Sequence, residues 1–458
     1  MSRRRKSLPD SIADNLAKQI EEGLLNAGDK LPSIREYAEA NRVSKNTVIT
    51  AFEALTGKGL IEPRRGAGFY VSDLGRIAGP DDEPKALDRA MDIVWLMREQ
   101  LQSRPEFLNL GEGFPPVEWL KEMRIDQQRV MRTGASSLFR YGSRFGYMPL
   151  RQHLRQKLAE YEIEAAAHQI VLTHGANQAM DLIIRYFVRS GDTVVVDDPG
   201  YYPLFGKLKL SAANIVGVPR RVDGPDIEVL EELFKNHRPK LFFTQSVAHN
   251  PTATDISAAK AHRVLQLAEA HNVIVVENDA LADLKSRSAT RISALDQLRR
   301  TIYLGSFSKS VSAALRVGFI ACDADLASDL ADVKMLTHVS SSEYCERLLD
   351  VALSEGHFLR HTANLQGKLK RATEAGIKLL ESLGANIFKQ SDQSMYLWAS
   401  LPGRDDSMEF AKAMLEQKII LAPGAIFSPN ADCKSAFSRF NVGYLCDARF
   451  ADALQRTK

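Results

Sequence analysis

Along the first seventy positions apolar residues recur with a helical period that breaks and restarts. From Asp10 onward Ile12, Leu16, Ile20 and Leu24 share one face, with Ala13 and Ala17 beside them, the spacing of an amphipathic helix. Pro32-Ser33 gives a start signal for a short second helix to about Ala40, Asn41-Arg42-Val43 a turn, and Ser44 the cap of a third helix. There Val48, Phe52 and Leu55 fall at i, i+4 and i+7 and are predicted core, which leaves Lys45, Asn46, Ile49, Thr50 and Glu53 outward. Leu60-Ile61 and Phe69-Tyr70-Val71 come next, joined by Pro63-Arg64-Arg65-Gly66-Ala67-Gly68, which reads as a hairpin with a basic tip.

The period disappears between Ser72 and Pro84, a Gly-, Asp- and Pro-rich connector. It returns at Leu87, Ala90, Met91, Val94, Trp95 and Leu101, predicting a helix that docks on the second domain. Beyond about residue 165 the pattern changes to short β-branched runs separated by helical stretches: Ile170-Val171-Leu172, Thr193-Val194-Val195-Val196, Leu241-Phe242-Phe243, Val273-Ile274-Val275-Val276 and Thr301-Ile302-Tyr303-Leu304. This alternation predicts an α/β fold with a mostly parallel central sheet, whose ligands sit at the carboxyl ends of the strands. The expected boundaries are 1–73 for the small domain, 74–105 for connector and docking helix, and 106–458 for the large domain.

Composition narrows the class. The 458 residues exceed one ordinary domain, and 45% hydrophobic with 26% charged residues is ordinary for a soluble chain. No apolar run approaches a membrane span, and no secretory segment comes after Arg3-Arg4-Arg5-Lys6, so a cytoplasmic protein without membrane contact is expected. Cys322, Cys345, Cys433 and Cys446 are far apart, without metal-ligand spacing. A net charge of +3 does not by itself imply nucleic-acid binding; only local clustering could.

Such clustering exists. Leu31-Pro32-Ser33-Ile34-Arg35-Glu36, then Val43-Ser44-Lys45-Asn46-Thr47-Val48, resembles the GntR-type winged helix-turn-helix. The resemblance implies a double-stranded DNA partner, with the third helix in the major groove and the wing across the neighbouring backbone. Arg35, Lys45, Asn46 and Thr47, with Ser44 at the helix start, take DNA-facing positions, and Arg64, Arg65 and Gly66 lie in the wing.

The residues after each large-domain strand form an ordered set: Thr173-His174-Gly175-Ala176-Asn177-Gln178, Asp198-Pro199-Gly200-Tyr201, His249-Asn250-Pro251-Thr252, and Gly305-Ser306-Phe307-Ser308-Lys309 with Arg316 beyond. A glycine turn entering a helix is a natural phosphate site. The set resembles the fold-type I, class I aminotransferases from about Phe107 to the C-terminus. That resemblance implies pyridoxal 5′-phosphate (PLP) joined to Lys309, an amine whose pKa its site can lower. Ser306, Arg316 and the helix start at Gly175, Ala176 and Asn177 would hold the phosphate. Tyr201 would stack on the ring, Asn250 would meet its 3′ oxygen, and Arg439 would grip a ligand carboxylate. Tyr141 matches a segment that reaches the partner's cofactor, implying a homodimer. His174 and His249 are read as packing or satisfying backbone groups.

The pattern breaks at the fourth strand, where the family has an acidic residue and, three positions later, tyrosine. Here Glu277-Asn278-Asp279-Ala280-Leu281 puts Asn278 and Leu281 there. A carboxylate keeps the pyridine nitrogen protonated, whereas an amide only hydrogen-bonds, so carbanion chemistry is expected to be weak. Asp279 could substitute only by a one-residue slip, against strand alternation. Ala176 replaces a hydroxyl residue, and Ala253 a usual glycine.

Winged helix plus aminotransferase-like domain is the arrangement of MocR-type GntR regulators. It implies a transcription regulator that senses an amino acid or amine exchanging with Lys309 on PLP. A working aminotransferase carrying a DNA-binding domain is opposed by Asn278 and Leu281. A large domain that has lost PLP and only dimerises is opposed by the retained Lys309, Ser306, Arg316, Asn250 and Tyr201.

Overall fold

The computed structural model describes residues 8–21, 25, 28–64, 68–72, 97–98, 105–123, 125–132, 138–285, 289–354, 356–430 and 433–457. Contacts divide the chain into two units, Met1–Lys85 and Ala86–Lys458. The docking helix expected over Leu87–Leu101 lies almost wholly outside the described residues, as do Leu24, Arg65 and Gly66.

The small unit contains α1 (Leu8–Glu21), α2 (Ile34–Asn41), α3 (Lys45–Gly57) and an antiparallel hairpin of β1 (Ile61–Arg64) and β2 (Gly68–Val71). A capping box starts α2. The Ser33 hydroxyl accepts from the Glu36 amide at 3.2 Å while the Ser33 amide donates to the Glu36 carboxylate at 2.8 Å, an arrangement worth about 1 kcal/mol. Arg42 reverses the chain in the left-handed region, φ 51°, and Ser44 caps α3 through the Thr47 amide at 3.1 Å. Val48, Phe52 and Leu55 are fully buried. Phe52 is held edge-on between Tyr37 and Phe69. The hairpin is longer than the apolar run indicates, because Pro63 and Arg64 pair with Phe69 and Gly68. A two-stranded ribbon has free edges, so a proline lacking its N–H is accommodated.

In the large unit an eight-stranded sheet runs in the order β4 (Ile170–Thr173), β11 (Gly318–Ala321), β10 (Thr301–Ser306), β9 (Ile274–Asn278), β8 (Leu241–Thr244), β5 (Thr193–Asp198), β6 (Asn214–Arg221) and β7 (Gly224–Pro225). Pairs β10/β9, β9/β8, β8/β5 and β5/β6 are parallel, whereas β11 runs against both β10 and β4. Alternation sorts the apolar residues onto two faces. Val196, Phe243, Val276 and Ile302 pack with helix Gly175–Phe187, and Val195, Phe242 and Val275 with helix Ala258–Ala270. A 26-residue helix, His357–Ser382, leads to a second sheet, β12 (Asn386–Ile387), β13 (Tyr396–Ser400), β16 (Phe437–Asn441) and β15 (Ala422–Pro423). Beside it β14 (Ile419–Ile420) pairs in parallel with β3 (Leu108–Asn109). No described helix is long and apolar enough to cross a membrane.

Candidate functional site

The ends of β4 and β10 meet the start of β11 at one edge. β4 ends at Thr173, and helix Gly175–Phe187 begins two residues later. Gly175 has φ +72°, and a Cβ there would stand 3.0 Å from Arg316 Nη2, so both conformation and space demand glycine. Gly318 lets β11 approach the same turn, since its Cβ would meet the Gly175 and Ala176 backbone within 2.9 Å. Arg316 donates through Nη2 to the His174 carbonyl at 3.1 Å. Ser306 closes β10, its hydroxyl accepting from the Ser308 amide at 3.3 Å. The helix start, Arg316, and the His174/His338 pair, 6.4 Å between rings, surround this edge with donors. Burial, then His338, Lys334 and Arg316, push His174 down, as expected where positive potential accumulates. The buried Asn177 Oδ1 and Ser308 Oγ are without partners.

Lys309 lies directly beyond β10, its Nζ 3.1 Å from the Phe114 ring centroid. Burial pushes its pKa down to about 7, with Glu112 pulling upward and Arg439 and Arg316 downward. At the neighbouring strand ends a small pocket is lined by residues that include Asp197, Tyr201, Gln245, His249 and Asn278. Asn278 is buried, and its Oδ1 has no partner. Asp279 turns to the other side of the strand. It accepts from Arg291 Nε at 2.6 Å and the Tyr303 hydroxyl at 2.9 Å, with the Arg291 guanidinium 3.9 Å from the Tyr161 ring centroid. Leu281 is buried in the apolar cluster with Leu284 and Leu365. The amide therefore faces the pocket, and the carboxylate one residue on is committed elsewhere.

A second polar set borders the pocket. Asp197 accepts from Thr244 at 2.8 Å, Arg220 at 3.4 Å and His249 Nε2 at 3.3 Å, and His249 Nδ1 meets Thr252 at 2.8 Å. Burial, reinforced by Arg220 and opposed by the Asp197 hydrogen bond, pushes His249 down to about 4. His249 thus satisfies side chains, where the sequence reading allowed packing or backbone partners.

Arg439 is 1% exposed. It donates through Nη1 to Asn250 Oδ1 at 2.8 Å and through Nη2 to the Gly111 carbonyl at 2.6 Å, while its Nε has no partner. Among the described residues no acidic side chain forms an ion pair with it, unusual for a buried guanidinium. A residue that sequence reasoning missed stands nearby. Glu112 accepts from the Gly113 amide at 2.8 Å and from Asn109 Nδ2 at 3.3 Å, within electrostatic reach of Lys309 and Arg439. Tyr141 is 84% exposed, away from this interior, as are Phe139 at 86% and Leu336 at 84%.

In the small unit Lys45 and Asn46 are exposed at the start of α3, beside Ser44, and Thr47 is half-buried. Arg35 is paired with Glu39 at 3.1 Å, and Arg64 with Glu62 at 2.9 Å over the Tyr70 ring.

These features have relatives. Residues 105–453 match the family described as aminotransferase class I and II, and residues 8–71 the bacterial regulatory proteins of the gntR family. The chain is 26% identical over 455 residues to the uncharacterized HTH-type transcriptional regulator YdcR of Escherichia coli (strain K12), covering 97% of each chain. It is 28% identical over 371 residues to the probable rhizopine catabolism regulatory protein MocR of Rhizobium meliloti, covering 78% of this chain and 73% of that one. Among solved structures, Pyrococcus horikoshii kynurenine aminotransferase, in complex with PMP, matches with a TM-score of 0.70 and 24% identity over 84% of this chain and 98% of that one. The chain belongs to the aminotransferase class I and II family and carries a gntR-family N-terminal domain, the make-up of the MocR-type regulators.

Proposed function

We propose that this protein is a DNA-binding transcription regulator that uses PLP at Lys309 to sense a primary amine, most simply an amino acid. The residues fit the cofactor. Gly175, Ala176, Asn177, Ser306 and Arg316 would hold its phosphate, Tyr201 and Asn278 its ring, and Asn250 its 3′ oxygen. When bound, PLP supplies an electrophilic carbon that takes up primary amines reversibly. Lys309, lowered to about 7 by burial, suits an amine that must also exist unprotonated. Arg439, buried without an acidic partner, suits a ligand carboxylate.

One observation carries sensing over turnover: Asn278 faces the pocket while Asp279 is bound to Arg291 and Tyr303. An amide gives the ring no fixed negative charge, so proton removal from a bound amino acid receives little electronic help. Lys45, Asn46, Thr47 and Arg64 would face duplex DNA, Lys45 and Arg64 on phosphate and Asn46 at base edges. The exposed Tyr141, Phe139 and Leu336 support a homodimer in which Tyr141 reaches the partner's site. A cytoplasmic location follows from the DNA target.

The test is an absorbance titration of PLP-saturated protein with amino acids. Displacement of the visible band without conversion to pyridoxamine phosphate is expected, and a Lys309→Ala variant lacks the band. An unchanged spectrum in that variant rejects the cofactor assignment. Rapid, complete conversion rejects sensing in favour of transamination.

A further inference from the structure

The wall opposite Lys309 is built from Gly111–Phe114, and four contacts fix it. Arg439 binds the Gly111 carbonyl at 2.6 Å, Asn441 Nδ2 donates to the Glu112 and Phe114 carbonyls at 2.9 and 2.7 Å, and the Tyr396 hydroxyl donates to the Gly113 carbonyl at 3.2 Å. Phe114 lies against Lys309 Nζ. Glu112 is thereby held on a rigid strip within electrostatic reach of the lysine, each carboxylate oxygen accepting one hydrogen bond, from Gly113 N and Asn109 Nδ2. An ionised carboxylate has about four lone-pair sites, so both oxygens retain capacity for an ammonium.

Resting on the sensing reading above, we propose that Glu112 is a positioning residue that receives the Lys309 side chain after an effector amine has displaced it, and so holds the effector-bound state. In the exchange the ligand nitrogen bonds to the cofactor carbon and the bond from that carbon to the Lys309 nitrogen breaks. The three protons of the incoming ammonium end on the Lys309 nitrogen, so charge and atoms balance. The released lysine then stands near Arg439 and Arg316, which disfavour its ammonium form, and Glu112 is the acidic group that favours it. A lysine kept as ammonium against Glu112 is also a lysine that does not remove a proton from the ligand. The same contact that favours binding therefore suppresses turnover, alongside Asn278.

Other charged and titratable groups also face this pair. Arg439 and Arg316 act on Lys309; burial raises Glu112, against the Gly113 amide, Lys309 and Arg439; Tyr396 and Tyr444 also face Glu112. Neither tyrosine carries charge near neutrality, as burial holds both above their usual value.

The experiment uses full-length, PLP-loaded protein and methylamine as probe, because methylamine needs neither Arg439 nor a side-chain pocket. Its apparent affinity is read from displacement of the visible band between pH 6 and 9, for wild type, Glu112→Gln and Glu112→Asp. Glu112→Gln is expected to weaken binding by roughly fivefold at pH 6 and about twofold at pH 7, the result of lowering by one unit a released amine that titrates at about 7. Its affinity should also begin to rise with pH about one unit earlier, giving a steeper slope between pH 6 and 7, because the released lysine then leaves neutral and sheds a proton at lower pH. Glu112→Asp, which retains the charge, keeps the wild-type slope. Equal affinity and equal slope in wild type and Glu112→Gln, with the band present in both, overturns the role of Glu112 alone. A wild-type protein with no visible band overturns the cofactor reading and this inference with it. Circular dichroism of both variants separates either result from misfolding.

Discussion

Replacing Arg439 by methionine should separate ligand recognition from folding. Arg439 is 1% exposed, makes two charge-assisted hydrogen bonds, at 2.8 and 2.6 Å, and lies 4.3 Å from the Tyr396 ring centroid. Those bonds contribute about 1.5–3 kcal/mol each and the ring contact up to about 2 kcal/mol. Against them stands the desolvation of a cation with no acidic partner, still several kcal/mol after relaxation. The two sides nearly cancel, so Arg439→Met changes unfolding free energy by no more than about 2 kcal/mol. Ligand binding has no such cancellation. Losing the bidentate partner of a buried carboxylate costs about 2–5 kcal/mol, at least roughly 30-fold in affinity. The assay compares L-alanine with ethylamine, the same skeleton without the carboxylate, by absorbance titration, with urea unfolding in parallel. Alanine affinity should fall and ethylamine affinity stay within a few-fold. Equal losses for the two amines would show that Arg439 does not grip the carboxylate.

The geometry fixes three further outcomes. Asp279→Ala removes the carboxylate shared by the buried Arg291 and Tyr303 and should destabilise the large unit by about 3–5 kcal/mol; a loss under 1 kcal/mol in urea unfolding contradicts the placement. His249 is held near 4, below its unfolded value of about 6.5, so the unfolded chain takes up the proton first. Stability should therefore fall as pH drops through that window, by roughly 2 kcal/mol at pH 5. His249→Gln should remove that part of the difference between pH 7 and pH 5, and a variant with the wild-type slope refutes the assignment. Lys45→Ala should lower the slope of log affinity against log salt by about 0.9 on duplex DNA, the share of one phosphate contact; an unchanged slope places Lys45 away from the backbone.

What could be read from the chain depended on periodicity and local order. Val48, Phe52 and Leu55 identify the core face of α3 because helical spacing fixes which side they share, and all three are buried. Asn278 could be placed toward the pocket by the family resemblance, and Asp279 away from it because strand alternation turns successive side chains to opposite faces. β6 and β11 were not anticipated: Asn214–Arg221 mixes glycine, proline and arginine, and Gly318–Ala321 is only 4 residues long. Glu112 was invisible for another reason. A single acid in Leu110-Gly111-Glu112-Gly113 carries no period, and it comes within electrostatic reach of Lys309 only because β3 pairs with β14 and Asn441 grips the strip from the far end of the chain. The Asp197, Arg220 and His249 network was likewise hidden, since β5, β6 and the turn after β8 bring the three together only through the order of strands in the sheet.

The placement of β11 between β4 and β10 has a consequence for how the protein endures in a cell. Because β11 runs opposite to both neighbours, it begins where they end, and Gly175, Ser306 and Arg316 reach one edge from distant parts of the sequence. An anion seated there clasps three strands that the unfolded chain does not hold together. Such a ligand stabilises by mass action, about 2.7 kcal/mol at a hundred times its dissociation constant. PLP supply would then bear on the folded fraction of this protein as well as on its ability to respond.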